Sequence, residues 1–412
     1  MRGDDARGAG PRRLLLITNQ YPIPAGDAVF VASEIDALRA EFDEVHVLNF
    51  SPRAESPLPL PPGVHHLGNA YGASRTAKLR ALLSWPRLVR ALKAIRWRSG
   101  RAALMLDVKA SVVGMTIAGD RRVRGLLRHP EGSTRVYAFW AMGAGLAVPW
   151  LRPDAEAAVV RVHRYDLYEP PGPGLPIRRA VYGSADAVLA ISDDGAEYVR
   201  SRYPALASDR VRIARLGTTR RGRGAAPGES DPLVLVSCSS VTVIKRVDLI
   251  LDAAASLAAS GRRVRWVHFG DGPRLAQVAA AAERAPGSLE VQLKGQADHE
   301  SLMEFYRTEG VHVFVNASSS EGVPVSIMEA LSFDIPVVAT DVGGTGEIVG
   351  EELGSGRLVA PDVTADQLAA AIAQVVAQRP RYTPMAVWER LCDAEANARL
   401  TAEIVAEVGS PS

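Results

Sequence analysis

Short apolar runs alternate along most of the chain with longer segments in which apolar residues recur every three or four positions, the pattern of parallel strands joined by helices. In the first half the pattern predicts strands at Leu14 to Thr18, Val45 to Leu48, Arg135 to Phe139, Ala158 to Val162, Ala187 to Ile191 and Val211 to Ala214. A stretch rich in Arg, Gly and Pro, Thr218 to Pro232, interrupts the alternation. It restarts with strands at Leu233 to Ser237, Val264 to Phe269, Leu289 to Leu293, Val311 to Val315 and Ile335 to Ala339. The expected class is α/β with two Rossmann-like parallel-sheet domains facing a cleft, residues 1–217 and 232–383, joined by a linker at 218–231. One last helix is predicted over 384–408, with Trp388 and Leu391 at helical spacing.

Composition narrows the class. A chain of 412 residues, 47% hydrophobic and 23% charged, can bury two cores. A net charge of +2 implies no polyanion partner such as nucleic acid. Cys238 and Cys392 are far apart and lack metal-ligand spacing, which argues against a disulfide framework and for a reducing compartment. The apolar run Leu14 to Ile17 is too short for a signal peptide. The most apolar stretch, around Ala102 to Ala118, is interrupted by Asp107 and Lys109, so no membrane span is expected and the location is expected to be cytoplasmic.

The richest stretch runs from Phe314 to Val349, F-V-N-A-S-S-S-E-G-V-P-V-S-I-M-E-A-L-S-F-D-I-P-V-V-A-T-D-V-G-G-T-G-E-I-V. A strand enters a small polar loop, then a helix predicted to start at Pro324, a second strand and a Gly-Gly turn. Glu321 falls in the loop and Glu329 in the second helical turn, while the first amides of the helix, at Val325 and Ser326, form an anion site. Two carboxylates beside a phosphate cradle suit a ribose diol and sugar hydroxyls. Two solvated surface acids, or the acid and nucleophile of a glycosidase, are the alternatives; residues eight apart on a helix lie about 80° apart, so spacing alone does not aim both at one bond.

This segment resembles the E-x7-E signature of retaining GT-B glycosyltransferases (glycosyltransferase family four, group one), closest to the members that assemble polysaccharides. The resemblance implies that Glu329 binds the ribose diol and Glu321 a donor sugar hydroxyl. Gly322, Val323, Val325 and Ser326 would border the diphosphate. Lys245, in V-L-V-S-C-S-S-V-T-V-I-K-R-V-D, matches the diphosphate-binding lysine; Ser239 and Ser240 stand near the position of the usual preceding arginine, and Arg246 is a second candidate cation. Gly270 and Gly272, in H-F-G-D-G-P-R, match a turn on the nucleotide side. In the first half, Gly26 matches a glycine of the loop that faces the diphosphate. Arg161 to Tyr168, R-V-H-R-Y-D-L-Y, resembles a segment in which the histidine lies beside the transferred sugar, so His163 is a sugar-contacting or charge-stabilising candidate, with Arg161 and Asp166 at the acceptor. The C-terminal helix is implied to cross back onto the first domain.

The implied activity is transfer of a sugar from a nucleotide-diphosphate sugar, UDP-linked by preference, to a glycan, lipid-linked or secondary-metabolite hydroxyl, with no cofactor and no metal. A sugar-nucleotide epimerase of the same fold and a non-catalytic nucleotide-sugar-binding partner protein are the rival functions. From Arg75 to Arg101 nine Lys or Arg and no acid interleave with Leu79, Leu82, Leu83, Trp85, Leu88, Leu92, Ile95 and Trp97. Such a segment suits peripheral contact with an anionic membrane, here the inner face of the plasma membrane; a helix packed on the sheet with its cations in water is the alternative.

Overall fold

The computed structural model describes residues 10–24, 26–53, 55–71, 84–97, 100–168, 174–228 and 232–409. The chain divides into two compact units, Met1–Arg215 with Glu395–Ser412, and Leu216–Ala394.

The first unit is built on a seven-stranded sheet in the order β3-β2-β1-β4-β5-β6-β7. Its strands are β1 (Arg12–Thr18), β2 (Glu44–Asn49), β3 (Val64–Asn69), β4 (Ser133–Ala138), β5 (Ala158–Val162), β6 (Ala187–Ala190) and β7 (Val211–Ile213), all parallel. The central strands β1, β4, β5 and β6 are almost wholly buried, as a sheet covered on both faces requires. Strand β3, V-H-H-L-G-N, sits at the edge with both histidines exposed, and its polar sequence gave no strand signal.

The helix Arg101–Gly119 is long and apolar enough to cross a bilayer by length and composition. Here it is packed within the first unit: Asp107 is fully buried, and Gly114 lies against the Leu146 carbonyl and the Trp150 ring, leaving no room for a side chain.

The second unit holds a six-stranded parallel sheet in the order β10-β9-β8-β11-β12-β13. The strands are β8 (Leu233–Cys238), β9 (Val264–Phe269), β10 (Leu289–Leu293), β11 (Val313–Asn316), β12 (Val337–Thr340) and β13 (Gly356–Val359). Alternation along β8 divides the core in two. Leu233 and Leu235 join Trp266, Val313 and Ile372 on one face; Val234 and Val236 join Val267, Phe314 and Ile327 on the other. The chain leaves β8 toward β9 on one side and reaches β11 on the other, so the carboxyl ends of β8 and β11 flank the switch point where such sheets bind ligands.

Two segments differ from expectation. Residues 218–228 of the predicted linker are packed on the second unit: Gly224 N–H donates to the Phe333 carbonyl at 3.3 Å, Arg221 pairs with Glu300, and Gly310 lies against Pro227. The predicted single helix 384–408 is two helices, Pro384–Leu391 and Ala394–Glu407. Around the break, Thr218 N–H donates to the Cys392 carbonyl at 2.9 Å and Ala394 N–H to the Thr218 carbonyl at 3.2 Å, a bridge to Thr218 at the point where the helix stops. The first helix stays with the second unit and the other lies on the first, where Arg12 and Arg135 donate to the carbonyls of Ala406 and Val405.

Candidate functional site

At the switch point of the second unit, the loop after β8 and the loop after β11 are bound to each other. Ser319 N–H donates to the Ile244 carbonyl at 2.7 Å, and Ser318 N–H to Asn316 Oδ1 at 2.9 Å. This sets Lys245 Nζ 2.5 Å from Glu321 Oε1, with Asn316 Nδ2 on the same oxygen at 3.3 Å. Glu321 is buried and Lys245 is one-quarter exposed, so the pair faces solvent through its cation.

The helix after the loop runs Val325–Ser332, with Pro324 as the residue ahead of it rather than its first member. Its first amides have no partner within the helix, which leaves the N–H groups of Val325 and Ser326, both partly exposed, able to meet an anion. Gly322 and Val323 are buried behind them. The Gly-Gly turn presses on this loop: a Cβ at Gly343 would overlap the Glu321 carbonyl, and Gly344 N–H donates to the Gly322 carbonyl at 2.7 Å.

Arg246 directs three of its five N–H donors at backbone carbonyls. Its Nε donates to the Ala317 carbonyl at 2.6 Å, Nη1 to Pro361 at 2.7 Å and Nη2 to Ser318 at 3.3 Å. With φ of 46° it caps the helix Val247–Ala259 and ties the β11 and β13 loops together, a structural clamp.

A cavity of about 380 Å³ is lined by Cys238, Ser239, Gly270, Asp271, His299 and Glu329 among others, and the Lys245 charge is felt at Cys238 on its wall. Glu329 reaches it from the second turn of its helix, 2.7 Å from His299 Nε2. That contact holds the His299 pKa above the usual value. Cys238 lines the cavity as a neutral thiol, its pKa pushed up to about 12 by burial and then by Glu329. The wall is fixed by a buried chain: Trp266 Nε1 donates to Ser237 Oγ at 3.0 Å, Ser237 Oγ lies 2.8 Å from His268 Nδ1, and His268 Nε2 meets the Ser239 carbonyl at 3.2 Å. Burial lowers the His268 pKa to about 4, so the ring is neutral and the network assigns its proton to Nε2.

Gly270, at φ of 138°, has no space for a Cβ, which would overlap the same Ser239 carbonyl; at Gly272 a Cβ would come 2.6 Å from the Val241 carbonyl. Both glycines therefore let the β9 loop touch the β8 loop. His299 was not found from sequence. It lies in no motif, and its place follows from the Asp298 cap that starts its helix.

In the first unit His163 follows β5 and is buried, its ring 4.1 Å from Trp140 and 5.0 Å from Phe139. Neither ring nitrogen has a partner. Burial, and next the Arg161 charge, hold its pKa well below the usual value, so it is a neutral ring and not a full positive charge. The two residues expected at the acceptor are bound to the protein's own groups. Arg161 is 0% exposed and is paired with Glu34, with Tyr137 Oη at 3.3 Å and the carbonyls of Ala214 and Arg215 at 2.6 and 2.9 Å. Asp166, also fully buried, accepts from the backbone N–H of His163 and, at 2.6 Å, of Ala141. Neither side chain is open to an acceptor.

Gly26, at φ of 57°, packs on the Gln20 side chain. Beside it Asp27 accepts from the amides of Asn19, Gln20 and Tyr21 at 2.8 to 3.0 Å, which closes the loop after β1. Among the described residues no group of three or more His, Cys, Asp or Glu is placed to hold a metal ion.

Residues 223–387 match the family described as Glycosyl transferases group 1. Over 205 residues the chain is 25% identical to the colanic acid biosynthesis glycosyltransferase WcaL, so described provisionally, of Salmonella typhimurium, covering 48% of this chain and 50% of that protein. Over 142 residues it is 26% identical to the phosphatidylinositol N-acetylglucosaminyltransferase gpi3 subunit of Schizosaccharomyces pombe, covering 34% and 31%. The aligned region thus spans about a third to a half of these curated relatives. Among solved structures, the lipopolysaccharide outer core galactosyltransferase WaaB superposes with a TM-score of 0.67 at 14% identity, over 96% of this chain and 99% of that one. Anabaena Alr3699/HepE in complex with UDP superposes with a TM-score of 0.62 at 15% identity, over 96% and 100%. These structural likenesses bear on the fold, which is that of GT-B glycosyltransferases: two parallel-sheet units in one chain.

Proposed function

We propose that this chain, which carries a domain of the glycosyl transferases group 1 family over residues 223–387, is a retaining glycosyltransferase. It would move a sugar from a nucleotide-diphosphate sugar, a UDP-sugar by preference, to a hydroxyl of a glycan, lipid-linked or small-molecule acceptor in polysaccharide or glycoconjugate biosynthesis. The observation that carries this is the Lys245–Glu321 pair at the carboxyl ends of β8 and β11, with the Lys245 charge felt at Cys238 in the wall of a cavity that Glu329 lines. The relative named for colanic acid biosynthesis and the UDP held by HepE support the pathway class and the donor.

In this reading the base and ribose occupy the cavity, and Glu329 accepts from the ribose diol in place of His299. Lys245 leaves Glu321 for the diphosphate, which also meets the Val325 and Ser326 amides, and Glu321 is freed to accept from a donor sugar hydroxyl. The bond from the anomeric carbon to phosphate oxygen breaks, and its electron pair leaves with the nucleoside diphosphate. The acceptor oxygen bonds to the same face of that carbon, and its proton passes to the departing phosphate oxygen. Positioning and fixed positive charge supply the rate, and the reaction as proposed uses no metal or cofactor.

Calorimetric titration with UDP, GDP, dTDP and ADP tests the donor assignment. UDP is expected to bind most tightly and to lose about tenfold or more in Glu329→Ala, since a hydrogen bond to a charged group contributes about 1.5–3 kcal/mol. A folded protein that binds none of the four, or binds UDP equally well without Glu329, removes the assignment.

The described part of the basic segment favours a cytoplasmic enzyme held on the inner face of the plasma membrane. The helix Trp85–Ala94 and the residues after it expose Trp85 (71%), Leu92 (44%) and Trp97 (59%), with Lys93 exposed beside them. Leu79, Leu82 and Leu83 lie outside the described residues. Co-sedimentation with phosphatidylglycerol vesicles is expected, and Trp85→Ser with Trp97→Ser should abolish it; sedimentation unchanged in the double variant would refute this contact.

A further inference from the structure

A second, larger cavity, about 740 Å³, is lined wholly by residues of the first unit. Its lining includes Lys93, Arg96, Arg178, Arg179 and Arg202, with Trp97 on one wall, and no carboxylate lines it among the described residues. Five cations around one concavity repel one another, an arrangement that an anion would relieve.

Not all of this charge is open. Arg96 is held from behind by Asp107, whose two oxygens accept from Nε and Nη2 at 2.9 Å each. Arg178 is different. It is 3% exposed, and of its guanidinium nitrogens only Nη1 has a protein partner, Tyr182 Oη at 3.0 Å. Nε and Nη2 are buried and unpaired. The Tyr182 ring lies 5.1 Å from the guanidinium carbon, and the Asp166 carboxylate is felt only electrostatically, being spent on backbone amides. A buried guanidinium keeps two donors empty only at a cost, and two adjacent N–H groups of one guanidinium fit two oxygens of one phosphate. The backbone is also fixed here: Asp107 accepts from Ile177 N–H at 2.9 Å, and Ile177, a β-branched residue, is held at φ of 41° just ahead of Arg178.

The geometry points to a binding site for a phosphate or diphosphate ester in this cavity, with Arg178 as the fixed anchor and Lys93, Arg179 and Arg202 as the outer cations. The volume exceeds that of the anion alone, and Trp97 and Leu175 offer an apolar wall to the body of the ester. The site is independent of the transfer reading, since it needs no residue of the second unit.

The test uses the full-length protein with two probes, inorganic pyrophosphate by calorimetry and phosphatidylcholine vesicles with or without phosphatidylglycerol by sedimentation. Pyrophosphate binding that persists in Lys245→Ala is expected to weaken about tenfold in Arg178→Met and in Arg179→Ser/Arg202→Ser. Circular dichroism checks that Arg178→Met folds; if it does not, the outer double variant decides alone. Vesicle binding that requires phosphatidylglycerol and falls in the same variants identifies a lipid headgroup as the ester. Pyrophosphate binding that falls while vesicle binding does not identifies a soluble one. If neither probe binds, or both bind these variants as they bind the wild type, the site does not exist.

Discussion

Lys245→Ala is expected to lower kcat/KM by about 10²–10³-fold, the usual cost of removing one preorganised charge from the place where negative charge develops. Two losses act together in this variant. The departing diphosphate loses its cation, and Glu321, 7% exposed at the side chain, is left with only the long contact from Asn316 Nδ2. A buried carboxylate left without its cation draws in water or turns away, and so stops being a defined acceptor for a sugar hydroxyl. Glu321→Gln should therefore cost less than Lys245→Ala, and the double variant little more than Lys245→Ala alone, because the two side chains act as one unit. Lys245→Arg keeps the charge but not the shape, and should fall between. The measurement is steady-state transfer with the donor identified by nucleotide binding, accompanied by melting curves to confirm folding. If Lys245→Ala turns over within about threefold of the wild type, this lysine does not carry the leaving-group charge.

The sequence was most informative where chemistry and chain order coincide. Glu321, Glu329 and the first helix amides lie within one strand-loop-helix unit, which a local pattern can report. Lys245 comes from a different strand, and only the parallel pairing of β8 with β11 puts it beside Glu321. His299 is the opposite case. It is 30 residues from Glu329 in sequence, and nothing local distinguishes it from any exposed histidine.

Three charged candidates are bound to the protein's own groups. Arg161, Asp166 and Arg246 stand where charged ligand contacts were expected, and the structure directs their hydrogen bonds to carbonyls, amides or a buried carboxylate. Burial decides between the two uses of a charged side chain, and a motif does not report burial. The same holds for the strands: central ones are legible as continuous apolar runs, while two of the four edge strands, β3 and β13, carry the polar or glycine residues that an edge permits.

The largest stability effect should come from Arg161, which no ligand is proposed to touch. Arg161→Met removes one member of a buried ion pair and strands Glu34, which is 4% exposed and would keep only Tyr137 Oη at 3.2 Å. Breaking such a pair costs about 3–5 kcal/mol, because the remaining charge is buried without compensation. It also releases the carbonyls of Ala214 and Arg215, the last residues of the first unit before the chain crosses to the second. At about 2–4 °C per kcal/mol for a unit of this size, its melting transition should fall by about 6–20 °C. Scanning calorimetry measures this directly. Arg161→Met combined with Glu34→Leu should recover part of the loss, since a buried pair replaced by apolar groups of similar size is often neutral. A shift of less than about 2 °C in the single variant would mean that Glu34 is already neutral in the folded chain, and that Arg161 contributes through its carbonyl contacts alone.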